Sequence, residues 1–179
     1  MEYFILAQDR RVTALEIPAG LIKAVPPRIV RTKRDKKPAE VMSFPVHNKP
    51  DSEYPAVIDR PVFILANTAV KEIFSKYDRD ILFTPVMFND IKNQEQHLYW
   101  LMNVKAADCL AAETVFYPNH TLCKLVLDES KIIQKPIFKI GGVLEEYLAI
   151  RLDVAESLLR RDTIYGITLK PILTNHKEE

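Results

Sequence analysis

The sequence predicts an α+β fold, a mostly antiparallel sheet with two short helices in repeated strand–helix–strand units. Three observations predict it. Short apolar runs separated by turn residues recur along the chain. Two stretches carry the i, i+3, i+4 spacing of an amphipathic helix. Each of the two follows a short strand and precedes a strand broken by proline. About six to nine strands are expected from such spacing.

Taken in order, Phe4-Ile5-Leu6 and Val12-Thr13-Ala14-Leu15-Glu16-Ile17 read as the arms of a hairpin. Eight of the 12 prolines then fall between Pro18 and Pro61. Each fixes φ and removes a donor, so that stretch reads as an extended, loop-rich segment. Val62-Phe63-Ile64-Leu65 is a strand. Thr68 to Tyr77 is a helix, with Val70, Ile73, Phe74 and Tyr77 on its inward face. Ile81 to Phe88 is a strand that Pro85 assigns to a sheet edge. Strands follow at Leu98–Val104, Leu122–Leu127 and Ile137–Ile140, the last ending at the Gly141-Gly142 turn.

The end of the chain resembles its middle. Tyr147–Ile150 is a strand and Ile167–Leu173 is another, broken by Pro171. Between them Asp153 to Arg161 is a helix with Ala155, Leu158 and Leu159 inward. A shift of 85 positions carries Val70, Ile73 and Phe74 onto those three, and Thr68 onto Asp153. Both Thr68 and Asp153 are N-cap residue types, and Glu156 completes a capping-box pattern with Asp153. The chain divides into a Pro-rich, partly basic segment at 1–60, a hairpin plus extended loop. An α+β domain follows at 61–175, with a tail at 176–179.

Composition removes several function classes. A chain of 179 residues buries roughly 70% of its unfolded surface, enough for a core without metals or disulfides. Its net charge of +1 argues for neither a polyanion nor a membrane as partner. The four glycines, Gly20, Gly141, Gly142 and Gly166, cannot build a phosphate loop, a dinucleotide fingerprint or a nucleophile elbow. No apolar run approaches the roughly 20 residues of a membrane span, and Met1–Ala7 lacks the basic start and longer apolar run of a secretory leader, so none is expected. A cytoplasmic protein with reduced thiols is expected.

Candidate chemistry is sparse, and no catalytic residues, metal ligands or cofactors are assigned. His47, His97, His120 and His176 show no metal-ligand spacing. Cys109 and Cys123 sit in or beside apolar strands, where a thiol behaves as a small hydrophobe. Asp108 beside Cys109 raises a thiol pKa, the opposite of activation. The basic run Arg28, Arg31, Lys33, Arg34, Lys36 and Lys37 lacks the interleaved aromatics of a nucleic-acid groove, so it reads as a solvated loop. Trp100 lies inside an apolar strand and reads as core, with an interface role as the alternative. The carboxylate pairs Asp128-Glu129 and Glu145-Glu146 flank turns. They are the candidate partner-binding residues, because an acidic patch steers a basic partner.

An ordered series of segments runs from Phe63-Ile64-Leu65 through Asp80–Val86, then Leu98–Val104 leading into Asp108-Cys109-Leu110. Leu125–Asp128, Pro136–Ile140 and Tyr165–Pro171 complete the series. Together, in this order and spacing, they resemble a bacterial polymorphic-toxin immunity family. The chain departs from the family at Ala111 and Thr114, where an acid and a serine are usual, and at Lys139, where arginine is common. The resemblance implies a non-catalytic protein whose partner is a cognate toxin domain and which neutralises it in the producing bacterium. It needs no cofactor, membrane or nucleic acid. The alternative is an enzyme or nucleic-acid-binding module of another family.

Overall fold

The computed structural model describes residues 1–13, 16–25, 40–47 and 52–175. Its elements, in chain order, are β1 (Tyr3–Gln8), α1 (Ala19–Ala24), β2 (Met42–Val46), β3 (Val57–Arg60), β4 (Phe63–Asn67), α2 (Thr68–Tyr77), β5 (Leu82–Asp90) and β6 (Glu95–Asn103). There follow β7 (Ala106–Ala107), β8 (Val115–Phe116), β9 (Leu122–Lys124), β10 (Val126–Asp128), α3 (Glu129–Ile132), β11 (Ile137–Ile140), β12 (Leu148–Arg151), α4 (Leu152–Leu159) and β13 (Ile167–Asn175). The basic run at 28–37, His176 and the tail fall outside the described residues.

Six strands form one sheet in the order β10-β13-β1-β12-β11-β7, and five form another in the order β2-β5-β6-β4-β3. β8 and β9 make a separate ribbon. Seven of the ten strand pairings are antiparallel, so the expected mixture of helices with mainly antiparallel sheet is observed. The described residues hold 13 strands, more than expected: β2 and β3 fall in the Pro-rich stretch read as an extended loop, and the strand expected at Leu122–Leu127 divides into β9 and β10. β7 and β8 have two residues each, too short for a period-2 pattern to show.

Alternation along the strands assigns each face. Ile64 and Ala66 of β4 point into a central core shared by both sheets, while Phe63 and Leu65 point to the opposite face. Leu148 and Ile150 of β12 enter the same central core, and Ala149 faces away. Val70, Ile73 and Phe74 of α2 and Val154, Ala155 and Leu158 of α4 complete that core. α1 covers the outer face of the five-stranded sheet through Leu21, and α3 covers part of the six-stranded sheet through Ile132.

The two helices occupy matching places. β4 and β5 flank α2 and lie parallel, with antiparallel β6 between them. β12 and β13 flank α4 and lie parallel, with antiparallel β1 between them. The next strand outward is parallel in both sheets, β2 against β5 and β10 against β13.

Several expectations are corrected. Leu159 is not inward but 67% exposed, and Val154 takes the inward place beside Ala155 and Leu158. The caps are Asn67 and Arg151, 84 positions apart, so the 85-position alignment puts the face of α4 one residue out of phase. The Asn67 side chain caps Val70 N at 3.0 Å, which leaves Thr68 inside the helix. Asp153 instead grips Arg151 at 2.7 and 2.8 Å, and Glu156 pairs with Arg160, so no capping box forms. The arm at Val12 and Thr13 is not a strand, because β1 pairs with β12 and β13. Pro85 is not on an edge strand. β2 pairs with β5 only from Val86 onward, so the missing donor of Pro85 falls just past the end of that ladder. Pro171 has the same escape, since β10 meets β13 only from Leu173. Trp100 is half-exposed rather than core, with Lys71 Nζ 3.3 Å above its ring and its Nε1 donating to Thr68 Oγ1 at 3.2 Å.

Candidate functional site

β8 and β9 are joined by Tyr117-Pro118-Asn119-His120-Thr121, a turn chemistry that folds the chain back on itself. Tyr117 N donates to Thr121 O at 2.9 Å and His120 N to Tyr117 O at 2.9 Å. Asn119 Oδ1 accepts from Thr121 N and Oγ1 at 3.2 and 2.7 Å, and His120 takes a φ of 63°. The tip is therefore locally ordered, although neither strand joins a main sheet. Tyr117 crosses the ribbon to Cys123, whose hydrogen bond holds its hydroxyl above the usual tyrosine range.

The ribbon exposes apolar side chains. Val115, Phe116 and Tyr117 are 48%, 38% and 53% exposed. Leu144, on the turn between β11 and β12, is 69% exposed and shares a dent of about 290 Å³ with Phe116 and His120. The turn begins at Gly141, where an added Cβ would stand 2.7 Å from the Ala107 carbonyl oxygen, so only glycine lets it pass β7 this closely.

Leu144 also borders a larger cleft of about 800 Å³. Ile5 and Ala7 of β1, with Thr168 and Lys170 of β13, supply its sheet wall. Leu122, Cys123 and the turn at 144–147 supply a second wall, and Asp59, Arg60 and Pro61 a third. Asp59 organises the polar end. Its Oδ1 pairs with Arg10 Nη2 at 2.6 Å and its Oδ2 accepts from Gln8 N at 3.2 Å. Arg60 Nη1 donates to Gln8 Oε1 at 2.9 Å and to the Asp59 carbonyl at 2.7 Å. Half-burial, with Arg10 nearby, lowers the Arg60 pKa from its ordinary value.

The four predicted acids divide into two pairs. Glu145 and Glu146 border the large cleft, whereas Asp128 and Glu129 do not line it. All four carry structural duties. Asp128 caps α3 by accepting from Ser130 N at 3.1 Å, and Glu129 pairs with the Met1 ammonium. Glu146 pairs with Lys139, and Glu145 Oε1 accepts from Leu122 N at 3.3 Å.

The other titratable candidates are scattered. Cys109 is fully buried and burial pushes its thiol up. Asp108 is exposed and meets Lys131 at 3.5 Å. His97 stacks on Tyr54 and meets Glu95 at 3.1 Å, on the other sheet. His47 is exposed just after β2. Among the described residues, no three His, Cys, Asp or Glu side chains are grouped to hold a metal ion. No helix among them is long and apolar enough to cross a membrane.

Sequence reasoning missed Phe116, Tyr117, Leu144, Arg60 and Lys170. The Pro118-Asn119 pair between two apolar dipeptides was the available sign of the ribbon. Nothing local marks Arg60 and Lys170, which come to one cleft only through the pairing of distant strands. Comparison with protein-family models gives no match, and comparison with curated proteins gives none either.

Proposed function

We propose that the chain is a non-catalytic immunity protein that binds and neutralises a cognate polymorphic toxin in the cytoplasm of the producing bacterium. The observation that carries this reading is the exposed apolar ribbon with Leu144 beside it. Single exposed apolar residues are ordinary, but a grouped set on an ordered projection fits a protein partner. The segment resemblance supplies the class of partner, and Glu145 and Glu146 lie beside Leu144 at the same face. The same reading takes the units around α2 and α4 as copies of one strand–helix–strand unit, which their matching strand order supports.

Co-expression with the toxin domain encoded beside this gene, then calorimetric titration of the purified pair, tests the reading. One-to-one binding that protects the host is expected. Phe116→Asp and Leu144→Asp should each weaken binding by about 2 kcal/mol or more, as central interface residues do. Protection by sub-stoichiometric amounts through turnover overturns it, as does unchanged affinity in both variants.

A further inference from the structure

We infer that the 800 Å³ cleft receives an acidic side chain of the partner, an Asp or Glu carboxylate seated between Arg60 and Lys170. The inference rests on the proposed function for its partner. It goes further in naming the chemistry that the cleft recognises, which reverses the polarity expected from the acid pairs.

The charges already spent lead to it. Asp9 is held by Arg11, Asp59 by Arg10, and Glu146 by Lys139. Glu145 turns one oxygen to Leu122 N, and its other oxygen is buried. The carboxylates around the cleft are therefore engaged or withdrawn from its open space. The cations are not. Only Nη1 of Arg60 donates, which leaves Nε and Nη2 for a planar acceptor. Among the described residues no carboxylate pairs with Lys170, which stands opposite Ile5 on the sheet wall. Half-burial of Arg60 makes a bond to it stronger than one on an open surface.

The rest of the lining favours a protein segment over a nucleic acid. Ile5, Ala7, Leu122 and Leu125 offer aliphatic surface for neighbouring apolar side chains. Tyr147 is the cleft's sole aromatic side chain among the described residues, which leaves successive bases nothing to stack on.

The test uses the full chain and the peptide acetyl-Ala-Leu-Glu-Leu-Ala-amide, with its Gln and Lys counterparts, followed by amide chemical shifts in NMR. The Glu peptide should move Ile5, Leu122 and Lys170. The Gln peptide should bind about fivefold to tenfold more weakly, the scale of one charge-assisted contact. Lys170→Gln, at an exposed site, should weaken the Glu peptide by a similar factor without changing the melting temperature, and Arg60→Gln should weaken it as much while lowering the melting temperature, because its bonds to Gln8 and the Asp59 carbonyl are lost. Equal or tighter binding of the Lys peptide, no shifts at the cleft, or displacement by oligo(rA) at the same amides overturns the inference. The toxin titration separates the two ideas. Tight toxin binding that is unchanged in Lys170→Gln and Arg60→Gln sinks the cleft and leaves the proposed function standing. Peptide binding without toxin binding does the reverse.

Discussion

Tyr77 donates its hydroxyl proton to the Asp153 carbonyl 2.9 Å away and lies 2.7 Å from Ser157 Oγ. One side chain thus ties the end of α2 to the first turns of α4, across the central core that both sheets share. Tyr77→Phe keeps the ring and removes this link. A loss of about 1 kcal/mol is expected, or a drop of roughly 2–4 °C in melting temperature for a chain of this size. Calorimetry of the variant checks it, and an unchanged melt would show that water replaces the bond at no cost.

The phase of α4 gives a sharper test. Leu158 is fully buried, while its neighbour Leu159 is mostly exposed. Leu158→Ala should cost about 2–5 kcal/mol through the cavity it leaves. Leu159→Ala should stay within about 0.5 kcal/mol. Chemical denaturation of both variants decides the matter, since a cost for Leu159→Ala as large as that for Leu158→Ala would restore the face expected from the sequence.

The same helix shows what was legible and what was not. The existence of α2 and α4 follows from local periodicity, and the Val70, Ile73, Phe74 face is observed as expected. The end of α4 is not legible, because Leu158 and Leu159 are equivalent in hydropathy and only the position of the cap separates them. That position is set by Arg151, still paired in β12, and not by the side chain of Asp153. Trp100 illustrates the other limit. An apolar strand residue is core only if something covers its face, and α2 reaches that face with Lys71 rather than with an apolar side chain. The site was least legible of all. Its acids are visible in sequence, but Leu122 and Met1 engage two of them from distant segments, and Lys139 reaches Glu146 across the turn after β11. Their availability was a tertiary property.

Stability in acid should report the turn that follows β1. Arg11 donates from its side chain and its backbone to Asp9, and this holds the Asp9 carboxyl down to about 2. A carboxyl lowered on folding adds stability that is fully present above its unfolded pKa of about 4. That contribution disappears as the pH falls through the folded value. Asp9→Asn should therefore be less stable than the parent at pH 7, and the gap should close between about pH 4 and pH 2. Urea midpoints across that range check it; a gap that stays constant would show that the asparagine effect is steric and not ionic.

Gly166 tests how the two sheets are joined. It has a φ of 69°, and its carbonyl accepts from Asp9 N at 2.9 Å. A Cβ there would stand 2.5 Å from Pro55 Cβ, on the segment that leads into β3. Gly166→Ala combines strain with this contact, and a loss of about 1–3 kcal/mol is expected. The β1–β3 join forms one wall of the cleft, so the variant should also broaden the amide resonances of Gln8 and Arg60. A stable variant with sharp resonances at those positions would mean that Pro55 yields freely.

Asp128 and Glu129 separate structural acids from binding acids. Asp128 caps α3, and its partner in register is Asn175 at the end of β13, whereas the cleft takes Thr168 and Lys170 from the start of that strand. The pair therefore lies at the opposite end of β13 from the cleft. Asp128→Ala should lower stability by about 1 kcal/mol, the usual worth of an N-cap, and leave toxin affinity unchanged. Glu129→Gln should weaken the hold on the Met1 ammonium with the same silence in binding. Parallel measurement of unfolding midpoint and toxin affinity for the two variants is the check. A fall in affinity of tenfold or more, about 1.4 kcal/mol, with no change in stability would move the interface to the α3 end of the molecule and away from Phe116 and Leu144.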